Sequence, residues 1–151
     1  MGTRGTVNSQ SYLLEINKFF PEIKVYQQSC PMWVPLIENN EHLQPGADFF
    51  ISEYCDQLLK QSAAIDCVLL ACTHYPLLMP KLRNIFPSHI SVLTQGEIVA
   101  NSLADYLKRH SEIEEKLAKQ GERHFYTSGD PAAFDEHASI FFGEPLKSDK
   151  M

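Results

Sequence analysis

The run Ile65-Asp66-Cys67-Val68-Leu69-Leu70-Ala71, continued by Cys72-Thr73-His74-Tyr75-Pro76-Leu77-Leu78, decides the fold. Its first half is nearly continuously apolar, as expected of a central parallel strand covered on both faces. Its second half puts Pro76 at a first-turn helix position, with Leu77, Leu78, Leu82, Ile85 and Phe86 at helical spacing until Pro87. Strand, loop and helix in that order leave Cys72 at the carboxyl end of the strand, which is where open α/β sheets bind ligands.

Downstream, residues 90–93 read as another strand, and 97–109 as a helix with Ile98, Val99, Leu103, Tyr106 and Leu107 inward. The charged stretch 111–121 reads as a solvated helical extension or linker, and 124–127 as a strand. Asp130-Pro131 is an N-cap followed by proline at the first helical position, and that last helix, carrying Phe134, Ala138 and Phe141, closes at Gly143. Residues 144–151 read as a loose tail. Upstream, Tyr12, Leu13, Ile16, Phe19 and Phe20 form an amphipathic helix over 9–20 with Ser9 as its cap and Pro21 as its stop. Residues 23–27 read as extended. A loop with a turn of helix follows through Val34-Pro35-Leu36-Ile37-Glu38, and a helix over 47–62 carries the stripe Ile51, Tyr54, Cys55, Leu58 and Leu59. The alternation specifies an α/β fold with a mostly parallel sheet flanked by helices.

The chain has 151 residues, 44% of them hydrophobic, enough for one core or a domain and part of a second. A net charge of −6, from 19 acidic against 13 basic residues, argues against a nucleic-acid surface. No apolar run reaches the roughly 18 residues of a membrane span, and the first residues do not read as a signal peptide, so the expectation is a cytoplasmic protein. The four cysteines have irregular spacing and read as free thiols.

A strand-end thiol followed by a helix start and a histidine two residues on can supply a base. On spacing alone the commoner fate of such a cysteine is a small buried apolar side chain. That reading suits Cys67 and Cys55 better still. By the same standard Thr73 is a capping hydroxyl, His74 a hydrogen-bonded loop residue and Glu38 a solvent-facing carboxylate at a helix end.

The longer context shifts this balance. Leu70-Ala71-Cys72-Thr73-His74-Tyr75-Pro76-Leu77-Leu78 resembles the signature around the second catalytic cysteine of glutamate racemases, with only Ala71 departing from the usual glycine. Cys30-Pro31-Met32-Trp33-Val34-Pro35-Leu36-Ile37-Glu38 is similar to the family's Cys-Pro-x-x-Val-Pro-Leu-x-Glu segment. Gly2-Thr3-Arg4-Gly5-Thr6-Val7-Asn8-Ser9, with Tyr12, is similar to its Gly-Thr-x-x-Thr-Val-x-Ser-x-x-Tyr segment.

This resemblance implies interconversion of L- and D-glutamate for peptidoglycan synthesis, by two cysteines on opposite faces of the substrate and with no cofactor or metal. It implies that Cys72 is the second of those cysteines, that His74 assists it, and that Thr73 and His74 hold or flank the substrate carboxylate. Glu38 becomes an acidic residue tuning protonation or the ammonium environment, Thr3 and Thr6 become pocket hydroxyls, and Cys30 is structural.

The family's Asp-Ser, Pro-Tyr-Gly and Cys-Asn-Thr motifs are absent from these residues, and Thr94-Gln95 stands where many members have Asp-Ser. The resemblance therefore implies only a C-terminal portion. Residues 1–95 correspond to the second α/β lobe without its first strand, and 96–151 to the segment that completes the first lobe. Such a chain is expected to be inactive alone and to form a homo-oligomer or associate through the exposed lobe interface. The alternatives are a racemase of the same superfamily acting on aspartate or a hydantoin, a non-catalytic binding module, and a zinc site at Cys67, Cys72 and His74, which lacks a C-x-x-C pair.

Overall fold

In the computed structural model, which describes residues 1–151, the long apolar run narrows to a short strand, β1 (Cys67–Leu69). The chain divides into two compact units, Met1–Ile98 and Val99–Met151.

In the first unit the chain begins with α1 (Arg4–Ser9) and α2 (Ser11–Phe19), then α3 (Trp33–Glu38), a 3-10 turn at Pro45–Ala47 and α4 (Asp48–Leu59). After β1 come a 3-10 turn at Tyr75–Leu78, α5 (Met79–Ile85), β2 (Ser91–Leu93) and the first residues of α6 (Gln95–Arg109), most of which belongs to the second unit. β1 and β2 pair in parallel with Cys67 opposite Ser91 and Leu69 opposite Leu93, so the intervening helix is the crossover that parallel strands require. On the other edge of β1, Gly2 bridges both Ser29 and Ala71 in parallel.

The core gathers Trp33, Ile37, Ile51, Cys55, Leu58, Val68, Leu70, Tyr75, Leu78 and Leu82. Trp33 and Tyr75 are its largest fully buried side chains, and they meet edge-to-face with ring centroids 4.8 Å apart. The Tyr75 hydroxyl donates to the Cys30 carbonyl at 3.2 Å, which also takes the Trp33 amide at 3.2 Å. A buried phenol thus keeps a partner, as its desolvation requires.

The second unit holds α7 (Ser111–Glu114), β3 (Phe125–Thr127), α8 (Pro131–Phe142) and β4 (Ser148–Lys150), with β3 and β4 parallel around α8. Asp130 caps α8 through the Ala133 amide, Pro131 follows it, and Gly143 closes the helix at φ 83°.

Several sequence expectations need correction. The 144–151 tail is not loose. Asp135 of α8 accepts from the Ser148 amide at 2.9 Å and its hydroxyl at 2.7 Å, and Ser139 accepts from the Leu146 amide. These polar grips from a helix face leave no trace in hydrophobic periodicity. Ser9 does not cap a single helix. Thr3 caps α1 through the Thr6 amide, and Gln10, at φ 54°, breaks α1 from α2. Residues 23–27 form no ladder, and β1 is not covered on both faces, because Cys67 is exposed. The α6 stripe does not point inward: Ile98, Val99 and Leu103 are each more than half exposed.

Truncating Trp33 to Ala should cost about 3–5 kcal/mol, the usual penalty for emptying a buried aromatic site. Tyr75→Phe should cost only about 1 kcal/mol, since the Cys30 carbonyl keeps the Trp33 amide. Urea titrations at unchanged m-value check both. Equal losses would mean that the hydroxyl, not the ring packing, ties these segments together.

Candidate active site

Cys72 lies just past β1, in the bend that leads into the Tyr75–Leu78 turn. The Ala71 amide donates to the Met1 carbonyl at 2.8 Å and the Tyr75 amide to the Cys72 carbonyl at 3.2 Å, so the thiol is held between two backbone anchors. The Cys72 side chain is half-buried against the edge of the core.

Its Sγ lies 3.9 Å from Nδ1 of His74, whose Nε2 lies 3.2 Å from Oε1 of Glu38. A carboxylate on one ring nitrogen fixes the tautomer, because Nε2 must carry the proton to donate to Glu38. Nδ1 is then the lone-pair nitrogen, and it faces the thiol. The order carboxylate, imidazole, thiol matches that of nucleophile-activating and base-activating sites generally.

Two elements bring this chain of groups together. Glu38 ends α3, whose first residue is Trp33, and His74 immediately precedes Tyr75. The Trp33–Tyr75 contact therefore sets the approach of α3 to the turn, and with it the Glu38–His74 distance. Both site partners lie toward solvent, with the His74 side chain 27% and the Glu38 side chain 52% exposed.

The other expected residues are placed less tightly. Thr73 is exposed beside Cys72. The Thr3 and Thr6 hydroxyls bond each other at 3.0 Å, and Thr3 also caps α1, so both have a structural occupation. The sequence reading did not anticipate the direct contact of Glu38 with His74 across 36 positions, nor Gln95. The Gln95 amide donates to the Tyr12 hydroxyl at 2.6 Å and to the Leu70 carbonyl at 3.4 Å, pinning α2 to the end of β1.

The remaining thiols lie elsewhere. Burial pushes the Cys30 thiol far above its ordinary value and the Cys55 thiol up to about 12. Cys67 is exposed and also raised, by burial and the neighbouring Asp66. Cys67 borders a cavity that neither Cys72 nor His74 lines, and no three His, Cys, Asp or Glu side chains converge as a metal site would need.

No family model matches the chain. Among curated relatives, the glutamate racemase of Enterococcus faecalis is 32% identical over 152 residues, covering all of this chain and 55% of the relative. That of Shouchella clausii is 34% identical over 139 residues, covering 92% of this chain and 49% of the relative. Glutamate racemase from Thermus thermophilus, solved with β-chloro-D-alanine, matches 99% of this chain and 54% of its own with a TM-score of 0.77 at 27% identity. A glutamate racemase isoform from Bacillus anthracis reaches a TM-score of 0.85 at 23% identity, over 99% and 55%. The chain thus spans about half the length of the curated relatives it matches, its α/β fold is the one seen in glutamate racemase structures, and a C-terminal portion of such a protein fits it.

Iodoacetamide at pH 8 should label Cys72 first and Cys67 more slowly, and should spare Cys30 and Cys55 until urea is added. Peptide mass mapping reads the order. A Cys72 as slow as Cys55 would contradict an activated thiol.

Proposed function

We propose that this chain is the Cys-Thr-His portion of a glutamate racemase and that Cys72 is one of two thiols that move the α-proton of glutamate. The aligned Glu38–His74–Cys72 groups at a strand's carboxyl end are the observation that carries this reading. The curated relatives described above, named glutamate racemases, suggest the substrate.

In this reading Glu38 holds the His74 Nε2–H, and Nδ1 takes the Cys72 proton. The thiolate then removes the α-proton of glutamate, leaving the C–H electron pair on the α-carbon, where the adjacent carboxylate shares its charge. A thiol on the opposite face returns a proton, and the centre inverts. Thr73, beside the base, is read as a partner of the substrate carboxylate, and Thr3 and Thr6, whose hydroxyls bond each other, are read as pocket hydroxyls. The chemistry needs acids and bases alone, with no cofactor. Its product, D-glutamate, is a peptidoglycan precursor, which assigns the reaction to the cytoplasm.

Cys72 is the only cysteine of this chain at the site, so the opposing thiol comes from outside these residues. Residues 1–95 are read as the lobe that carries the motif. Residues 96–151 are read as the segment completing the lobe that brings the other thiol, with the exposed Ile98, Val99 and Leu103 of α6 as a face that lobe, or a second copy of the chain, covers.

With one base present, D-glutamate in deuterium oxide should exchange its α-proton slowly and keep its configuration. Cys72→Ala should abolish the exchange by at least ~100-fold, the scale of a positioned base, and Glu38→Gln should cause a smaller loss. Proton NMR and chiral chromatography read the two quantities. Exchange that survives Cys72→Ala, or L-glutamate formed by this chain alone, would overturn the proposal.

A further inference from the structure

We propose that residues 39–46 form a proton-operated latch: the neutral ring of His42 holds this segment against the core, and protonation of the ring releases it together with the grip of Glu38 on His74. The latch itself depends on no substrate. Its effect on the thiol rests on the reading of Glu38, His74 and Cys72 given above.

The segment leads from α3 into the 3-10 turn at Pro45–Ala47. Ile37 before it and Ala47 at its end are buried, and between them His42 alone is buried, at 5% exposure. The neighbouring Leu43 is 61% exposed, so the apolar side chain meets water while the titratable one anchors the segment. No other histidine, carboxylate, lysine or arginine side chain of the chain is buried. The His42 Nδ1 is shut off from solvent and has no hydrogen-bond partner, a cost that leucine or phenylalanine in the same place would not carry.

The surrounding charge opposes a second cation. Lys81 of α5 crosses to the far end of the segment, where its ammonium donates to the Gln44 carbonyl at 3.0 Å and pairs with the Asp48 carboxylate. Burial disfavours a charged ring and the Lys81 ammonium repels one, so the His42 pKa lies below its ordinary 6.5. No carboxylate offsets this. Asp48 pairs with Lys81, Glu38 pairs with His74, and Glu41 is exposed. Once released, the ring takes a proton at its ordinary pH; held, it takes one only at lower pH. As pH falls below 6.5, the held state therefore weakens by up to about tenfold per pH unit, until the ring charges in place.

Release reaches the site through the backbone. The Glu41 amide donates back to the Leu36 carbonyl at 2.9 Å, and both the Asn39 amide and its side chain donate to the Pro35 carbonyl. The segment and the last turn of α3 are thus held as one piece. Asn40 turns the chain between them at φ 57°, a left-handed conformation that asparagine tolerates. Glu38 closes that last turn, immediately before the segment. When His42 leaves the core the turn frays, and Glu38 loses its fixed distance to Nε2 of His74. The Cys72 thiol then faces an imidazole whose tautomer is no longer set.

The test compares the unaltered chain with His42→Phe, which keeps a ring in place and cannot take a proton. Amide hydrogen exchange, corrected for its intrinsic pH dependence, is measured for both at pH 7.5 and pH 5.5. In the unaltered chain the protection of the Glu41, Gln44 and Ala47 amides should fall at least about threefold more than that of the Leu70 and Phe86 amides, within the tenfold ceiling of one proton over one pH unit. The variant should show no such excess. Iodoacetamide labelling of Cys72 over the same range should fall at least about threefold further in the unaltered chain than in the variant. Unchanged protection in the unaltered chain, an equal loss in the variant, or parallel Cys72 profiles would overturn the proposal. If the variant does not fold, the ring nitrogen shifts of His42 in the unaltered chain decide. Titration below 6.5 that tracks the loss of amide protection supports the latch, and titration at or above 6.5 overturns it. Every readout is taken without glutamate, so the racemase reading can fail while the latch stands.

Discussion

The Gly2 amide bonds the Gln28 carbonyl, its carbonyl takes the Cys30 amide, and the Met1 carbonyl takes the Ala71 amide one residue before Cys72. This short piece of backbone ties together three segments that are far apart in sequence. It also sits close against α1, since a Cβ on Gly2 would come within 3.1 Å of the Thr6 side chain, which would have to give way slightly. Thr6 supplies the amide that the Thr3 cap accepts, so the close approach at Gly2 fixes the start of α1 as well as the end of β1. Displacing Gly2 would shift Cys72 and the first helices together.

A second constraint positions the chemistry. Trp33 and Glu38 occupy opposite ends of α3, and Tyr75 follows His74 directly. Buried ring packing therefore controls an exposed hydrogen bond. This division suits a proton-transfer site, in which the imidazole must keep one orientation while its partners remain open to a substrate. Cys30, read from the resemblance as structural, contributes its carbonyl to Tyr75 and has its thiol pushed far up by burial.

The readable parts of the sequence were those with strong local signals. Pro76 after a strand, Asp130-Pro131 at a helix start and Gly143 at its end all act within a few residues, and each occupies the expected place. Burial was read less well. The stripes on α2 and α6 have helical spacing but stay largely exposed, because periodicity shows that a face is apolar without saying whether this chain supplies its cover. The tail failed for a related reason: β4 is held by Asp135 and Ser139, polar side chains whose partners cannot be read from hydrophobic pattern.

By itself, the sequence determined the strand–loop–helix around Cys72, the order of the elements and the resemblance carried by its cysteine and histidine, because these follow from neighbours along the chain. Only the tertiary structure decided that Glu38 bonds His74, that Cys67 is exposed, and that Gln95 reaches the Tyr12 hydroxyl. Each depends on which segments meet across tens of residues, and side-chain packing and backbone pairing set those meetings in space, beyond the reach of local periodicity.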